Sequence, residues 1–278
     1  MRTVVHLSDL HFGRIDPATL APLEAAVKRL EPHAVVVSGD LTQRARAAQF
    51  RAARTFLDRL PRPQVVVPGN HDVPLYRVWE RFLSPYGKYR KHFSPDLEPM
   101  VHDDEIALVG VNTARALAFK NGRINEEQLE ALARRLAPFG EHMLKVVVTH
   151  HPFDLADNPH EDEEDDLVGS ANRAMAAFAR CGIDVLLAGH FHVSDALATS
   201  TRYDLPGYAA LAVQAGTATS TRGRGEANAF NVLRMESRAV AVERHEWRPD
   251  AGAFVHADTE AFRREGQRWV EVAASGTA

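Results

Sequence analysis

A chain of 278 residues with 45% hydrophobic content is long enough to bury the core of one large domain or two small ones. A formal net charge of −4 gives no electrostatic ground for a polyanion-binding protein, and a single cysteine, Cys181, excludes an internal disulfide framework and thiolate-rich metal sites. Any metal must therefore rest on His, Asn and carboxylate side chains.

The opening segment "MRTVVHLSDLHFG" has an apolar run too short for a signal peptide, and no stretch of 18 apolar residues offers a membrane span. A cytoplasmic protein with no membrane partner is the expectation. "TVVHLSD" (3–9) begins a series of β-branched runs that continues with "AVVVSGD" (34–40), "QVVVPGN" (64–70), "IALVGVN" (106–112), "KVVVTHH" (145–151) and "DVLLAGH" (184–190). Continuous apolar runs of this kind predict strands covered on both faces. Between the second and third, "RARAAQFRAARTFLDRL" (44–60) sets Ala45, Ala48, Ala52, Phe56 and Leu60 at helical spacing. "PLYRVWERF" follows the third, and its Tyr76, Trp79 and Phe82 are expected in core or lid packing. Before the fifth, "NEEQLEALARRLAPFG" (125–140) opens with Asn125 as N-cap and Gln128 three residues on, a variant of the capping box. Alternating strands and helices argue for α/β layering.

The acidic run "EDEEDD" (161–166) reads as a solvated loop. Beyond residue 195, "DALATS", "AALAVQAGT", "NAFNVLRME" and "AVAVERHEW" look like strands joined by short turns, which predicts a second, more antiparallel sheet packed on the first. The division expected is a domain over 1–247 and an extension over 248–278, either a strand plus a helix or partly disordered.

Each early strand ends in polar residues. The runs deliver Asp9 and His11, then Asp40, then Asn70, His71 and Asp72, then His150 and His151, then His190 and His192. In α/β sheets the carboxyl ends of the strands form the ligand-binding edge. Asp9 and His11, like His190 and His192, stand two residues apart, so on a strand each pair would face one side and reach one metal or two adjacent ones. Gly39, Gly69 and Gly189 precede these residues, where a missing Cβ lets the backbone turn tightly. Oxygen and imidazole donors suit Mn, Fe or Zn, and so many of them exceed what one catalytic ion with an open position can use. A shared carboxylate would bridge two ions about 3.5–4 Å apart, the chemistry of phosphoester hydrolysis.

In this order, D-x-H, G-D, G-N-H-D, a strand-end H and G-H-x-H resemble the signature of the calcineurin-like metallophosphoesterase superfamily, across residues 5 to 192. The wording "HLSDLHFG", "SGDLT", "PGNHD", "THHP" and "AGHFH" is most similar to its bacterial class III cyclic-nucleotide phosphodiesterases. The resemblance implies an α/β metallophosphoesterase fold, a four-layer α/β/β/α sandwich with two mixed β-sheets. It implies that Asp9, His11 and His192 hold one metal, that Asp40 bridges, and that Asn70, His150 and His190 hold the second. His71 then lies over the site, contacts the phosphate and protonates the leaving oxygen or stabilises charge, while Asp72 orients His71 or its backbone. His151 is expected to point away.

Two further segments are expected near substrate. "GVNTAR" (110–115) brings Asn112 and Arg115 to the same edge, and "GTATSTRGRGEANAF" (216–230) carries Arg222 and Arg224, either of which could pair with a phosphate oxygen. The function expected is a binuclear phosphodiesterase in which a metal-bridging hydroxide attacks small phosphodiesters in line, cyclic nucleotides foremost. The alternatives are a phosphomonoesterase or protein phosphatase, a nuclease of the same superfamily and, last, a non-catalytic scaffold. The partner expected is a small phosphodiester rather than a nucleic-acid polymer, with a homodimer left open.

Overall fold

The computed structural model describes residues 1–117, 121–154, 167–222 and 225–272. In chain order the elements are β1 (Arg2–Leu7), α1 (Pro17–Arg29), β2 (Ala34–Ser38), α2 (Ala47–Leu57), β3 (Gln64–Val67), α3 (Val78–Leu83), α4 (Gly87–His92), β4 (Met100–His102), β5 (Ile106–Gly110), α5 (Glu126–Leu136), β6 (Leu144–Val148), α6 (Ala171–Cys181) and β7 (Val185–Ala188). There follow β8 (Asp195–Ala198), β9 (Tyr208–Ala209), β10 (Leu211–Gln214), β11 (Ala229–Glu236), β12 (Ala239–Arg248), β13 (Ala253–Glu265) and β14 (Gln267–Val272).

The continuous apolar runs are explained by burial on both faces. In β2, Val36 turns to a core shared with the other sheet, where it joins Val4, Val65, Leu108, Val146 and Leu187. Its neighbours Val35 and Val37 turn the other way, onto Leu23 and Val27 of α1 and Phe50 and Phe56 of α2. On the far side, Val109, Val147 and Leu186 meet Leu129 and Leu132 of α5 and Phe178 of α6. Three apolar layers separate four layers of secondary structure, the α/β/β/α sandwich that was expected. Each fully buried side chain of this size contributes about 1.5–3 kcal/mol.

The partition of strands differs from the simple reading. The early strands do not form one sheet and the late strands another. One sheet has eight strands in the order β3-β2-β1-β11-β12-β13-β14-β9, and the other has six in the order β4-β5-β6-β7-β10-β8. β1, β2 and β3 run parallel in the first, and β5, β6 and β7 run parallel in the second. Each sheet is then completed by late strands, β11 pairing antiparallel with β1 and β10 parallel with β7. The two parallel cores set their carboxyl ends side by side, which gives the polar strand ends one common edge.

Helix ends follow local chemistry. The Asp16 side chain accepts from Ala18 N at 3.0 Å ahead of Pro17, which opens α1. Asn125 Oδ1 accepts from Gln128 N at 2.9 Å and Gln128 Oε1 from Asn125 N at 3.1 Å, the reciprocal box expected at the start of α5. α2 is shorter than the spacing predicted, and its buried face is Phe50, Ala53, Phe56 and Leu57, while Ala48 and Ala52 are exposed. Alanine tolerates either environment, so it marks a helix face poorly. Tyr76, Trp79 and Phe82 are not packed as expected; they are 76%, 80% and 52% exposed.

The polar tail is two strands rather than a strand and a helix. β13 and β14 pair antiparallel as a hairpin, from Ala261 opposite Val272 to Glu265 opposite Arg268, and residues 273–278 lie outside the described part. Trp269 anchors this hairpin, 1% exposed in the core between the sheets. No helix of the described residues is long and apolar enough to cross a membrane. Removing so large a buried ring leaves a cavity, so Trp269→Ala is expected to lower unfolding free energy by about 3–5 kcal/mol in urea titrations. A loss under about 1 kcal/mol would mean that the hairpin is peripheral to the core.

Candidate metal centre

The polar residues at the strand ends do not lie in the strands. β1 stops at Leu7, β2 at Ser38, β6 at Val148 and β7 at Ala188, so the site is built from the turns that follow. The expectation that alternate residues share a strand face is therefore corrected. Asp9, His11, Asp40, His190 and His192 all have left-handed backbone, with φ of 51°, 47°, 52°, 78° and 62°. A non-glycine residue there costs roughly 1–2 kcal/mol, and such strain collects at functional sites. Backbone bonds hold the turns against it: Asp9 N donates to Gly39 O at 3.2 Å and His11 N to Asp40 O at 2.9 Å. Thr217 Oγ1 donates to Asp9 O at 2.7 Å.

Gly39 turns as expected, with a φ of 93°, while Gly69 and Gly189 serve space more than turning. A Cβ on Gly69 would stand 2.1 Å from Asp40 Oδ1, and one on Gly189 would stand 1.8 Å from Ser8 Oγ and 2.5 Å from Asp9 Oδ2. Neither residue has a left-handed φ; any larger residue would push into the carboxylates.

Two groups of ligating atoms result. In the first, Asp9 Oδ1 lies 3.2 Å from His192 Nε2 and 3.5 Å from His11 Nε2, and the two imidazole nitrogens are 3.0 Å apart. In the second, His150 Nε2 lies 2.9 Å from Asn70 Oδ1 and 3.3 Å from His190 Nδ1. Asp40 stands between them, its Oδ1 3.5 Å from His150 Nε2 and its Oδ2 3.7 Å from His11 Nε2. Asp9, His11, Asp40 and His150 are essentially sealed from solvent.

Second bonds set the tautomers of His150 and His192. His150 Nδ1 donates to Ser38 O at 2.8 Å and His192 Nδ1 to Arg222 O at 3.0 Å, which turns both Nε2 lone pairs inward. Burial, reinforced by His151 and His150, holds His190 well below the usual histidine range, and burial likewise lowers His11, so both favour the neutral ligating form. Burial alone would raise Asp9, but His192 and His11 outweigh it and keep the carboxyl well below its ordinary value. Asp40 is held down against burial by His150, His71 and His11. Burial would lower His192, yet Asp9 raises it. Asp9 Oδ1 is buried without a hydrogen-bond partner, although two imidazole nitrogens face it. An orphaned carboxylate oxygen among inward lone pairs fits a cation.

His71 is positioned from the flank. Its N donates to Asp40 Oδ1 at 2.8 Å, its Nδ1 donates to Gln43 O at 2.9 Å, and its Nε2 lies 4.0 Å from Asp40 Oδ2. Arg222 Nη1 donates to that Nε2 at 2.9 Å, so Arg222 reaches the site as expected, while Arg224 lies outside the described residues. Asp72 makes no bond to the His71 ring. Its carboxylate accepts from Gly69 N, Leu41 N, Thr42 N and Thr42 Oγ1, tying the turn after β3 to the turn after β2. It acts on His71 through the backbone, as a brace rather than a catalytic group.

Asn112 and Arg115 are engaged in bonds of their own loop and of α5. Asn112 Oδ1 accepts from Ala114 N at 3.0 Å, and Arg115 Nη1 donates to Asn112 O and Ala114 O while Nη2 donates to Gln128 Oε1. His151 does not turn away. Its Nδ1 is 2.9 Å from Thr113 Oγ1, and its ring packs 4.7 Å from His190 and 4.8 Å from His150. Sequence reasoning missed Ser8, which donates to Asp9 Oδ2 at 2.6 Å, and the Gln43 carbonyl, since serines and backbone oxygens carry no motif. The acidic run 161–166 lies outside the described residues.

Residues 2–194 match the calcineurin-like phosphoesterase family. The chain is 26% identical over 163 residues to the glycerophosphodiester phosphodiesterase GpdQ of Enterobacter lignolyticus, covering 55% of this chain and 58% of that one. It is 26% identical over 161 residues to a probable cyclic nucleotide phosphodiesterase of Synechococcus, covering 54% of this chain and 58% of that one. Against the 3',5'-cyclic adenosine monophosphate phosphodiesterase CpdA of Escherichia coli it is 24% identical over 199 residues, 68% of this chain and 67% of the other. The chain thus spans under three-fifths of the first two relatives' lengths. The purple acid phosphatase PPD1 of yellow lupin shares the fold with a TM-score of 0.70 at 13% identity, over 93% of this chain and 53% of that one. With a family match across most of its length and every signature residue gathered at one sheet edge, the chain belongs to the calcineurin-like phosphoesterase family.

Proposed function

We propose that the protein is a binuclear metal-dependent phosphodiesterase acting on small phosphodiesters, with cyclic nucleotides foremost. The observation that carries this reading is Asp40, whose two carboxylate oxygens face two different groups of donors. Asp9, His11 and His192 would hold one ion and Asn70, His150 and His190 the other. The mixture of carboxylate, amide and imidazole donors suits Mn, Fe or Zn. When bound, such a pair activates water near neutral pH and neutralises charge at both the attacking and leaving oxygens. The names of the relatives, which include glycerophosphodiester and cyclic-nucleotide phosphodiesterases, support a diester over a monoester.

The chain's own groups complete the chemistry. The Gln43 carbonyl fixes the His71 ring with Nδ1 protonated, so Nε2 is the atom that can serve the leaving oxygen. Without substrate, that Nε2 is covered by the Arg222 guanidinium. A phosphate oxygen is a stronger acceptor for arginine than a neutral imidazole. Substrate binding therefore draws Arg222 onto the phosphate and uncovers His71 Nε2, which can take up a proton from water to form the imidazolium and pass that proton to the departing alkoxide, returning to the Nδ1-protonated ring. The brace formed by Asp72 keeps His71 in register with Asp40 while this happens.

Two outcomes follow from these roles. Elemental analysis of the purified protein should find two metal ions per chain, and Asp40→Ala should lose both or most of their occupancy; two equivalents retained in the variant would remove Asp40 from its bridging role. His71→Ala should keep its metal and lose about 10²–10⁴ in turnover, less with a p-nitrophenyl diester than with an alkyl diester, because the former's leaving group needs no proton. Equal losses on both substrates would assign His71 to charge stabilisation rather than proton donation. Turnover of bis-p-nitrophenyl phosphate beside p-nitrophenyl phosphate, and of 3',5'- beside 2',3'-cyclic nucleotides, tests the diester and cyclic-nucleotide assignments; a preference for the monoester contradicts the reading.

A further inference from the structure

The turn after β2 and the turn after β3 continue past the metal cluster and enclose a second cavity of about 480 Å³, walled by Arg44, Arg46, Pro74, Tyr76, Arg77 and Lys88 among others. The wall adjoins the catalytic flank along the chain. The Gln43 carbonyl that fixes His71 directly precedes Arg44, and Pro74 stands two residues past Asp72.

The turn that carries the arginines is built to present them. Ala45 is buried with a left-handed φ of 47° and its N donates to Thr42 Oγ1 at 3.1 Å. Arg44 N and Arg46 N both donate to Gln49 Oε1, at 3.0 and 3.2 Å. With Ala45 turned inward and both flanking amides pinned, the two arginine side chains are directed outward and are exposed. Arg44 also lies 5.6 Å from the centre of the Tyr76 ring.

The charge in this cavity is not compensated by the protein. Arg77 and Lys88 share Glu80, but neither Arg44 nor Arg46 has an acidic partner among the described residues. Arg46 is also the residue at the N-terminus of α2, whose first turn holds no acid. Cations are unfavourable at that end of a helix, where the dipole favours anions. Uncompensated arginines at a helix N-terminus make local sense when an anion is to be held there.

We propose that this cavity is a second anion subsite, which takes a phosphate group carried by the leaving alcohol of the substrate. The assignment of the leaving side rests on the phosphodiesterase reading of His71. Among small phosphodiesters, one that bears a further phosphate would fill the subsite and gain affinity, whereas a simple cyclic nucleotide would bind through the metal centre alone.

The test compares thymidine 3',5'-bisphosphate with thymidine 5'-phosphate and thymidine 3'-phosphate as ligands of the metal-loaded protein, by calorimetric titration. The wild type, and Arg51→Ala as a control on the exposed face of α2 outside the cavity, should bind the bisphosphate at least about tenfold more tightly than the better monophosphate, in line with a pair of charge-assisted hydrogen bonds. In the double variant Arg44→Ala, Arg46→Ala that preference should collapse toward one. A wild type with no preference, or a double variant that keeps it, overturns the proposal. Should the alanine variant fail to fold by circular dichroism, Arg44→Gln with Arg46→Gln gives the same comparison. Turnover of bis-p-nitrophenyl phosphate by the wild type is measured in parallel. No turnover with the binding preference intact defeats the diesterase reading and leaves the subsite standing; turnover without the preference does the reverse.

Discussion

Two carboxylates, Asp9 and Asp40, are buried side by side where the two sheets meet, and the surrounding structure is organised around compensating them. An uncompensated carboxylate in such a place is costly enough to be protonated or expelled. Here each is met by directed donors. Asp9 Oδ2 accepts from Ser8 Oγ and from His190 N, and Asp40 Oδ1 accepts from His71 N. The oxygen left over on Asp9 looks toward imidazole lone pairs, an arrangement that only a cation, or a proton in its place, can satisfy.

These bonds also join the sheets. The His190 amide belongs to the turn after β7 in the six-stranded sheet, and it donates to Asp9 on the turn after β1 in the eight-stranded one. His150, after β6, donates to Ser38 O at the end of β2. The hydrophobic layer between the sheets fixes their separation, but these polar bonds fix the register of their edges. The left-handed turns and the glycines without room for a Cβ are consequences of the same demand, since carboxylates and rings from different turns must come within a few ångströms of one another.

Much of this was legible in the chain itself. The β-branched runs mark strands because a strand covered on both faces has no polar side to show, and the motif spacing marks the ligand set because each motif follows such a run. What could not be read was the pairing. β11 joins β1 at the other end of the chain and β10 inserts between β7 and β8, and nothing in "NAFNVLRME" or "AALAVQAGT" names the partner. The tail was obscure because β13 is only half-buried and its charged residues mask the alternation, leaving Trp269 as the single strong mark. Within the site, the residues that gather into the cluster were legible and those that position them less so. Asp72 was expected to orient His71 or its backbone from its place in G-N-H-D, but that three backbone amides and a hydroxyl would occupy its carboxylate was not legible. Asn112 and Arg115 lie on the right edge of the sheet, but Asn112 Oδ1 and both Arg115 Nη atoms are engaged within their own loop and with Gln128. Strand-end position gives proximity to a site; it does not give the direction of a side chain.

The central claim is that Asp40 joins two metal positions. Anomalous X-ray diffraction from crystals of the manganese-loaded protein tests it most directly. The account predicts two peaks about 3.5–4 Å apart, one beside Asp9, His11 and His192 and the other beside Asn70, His150 and His190, with Asp40 in contact with both. A single peak, or two peaks of which Asp40 touches only one, would contradict it.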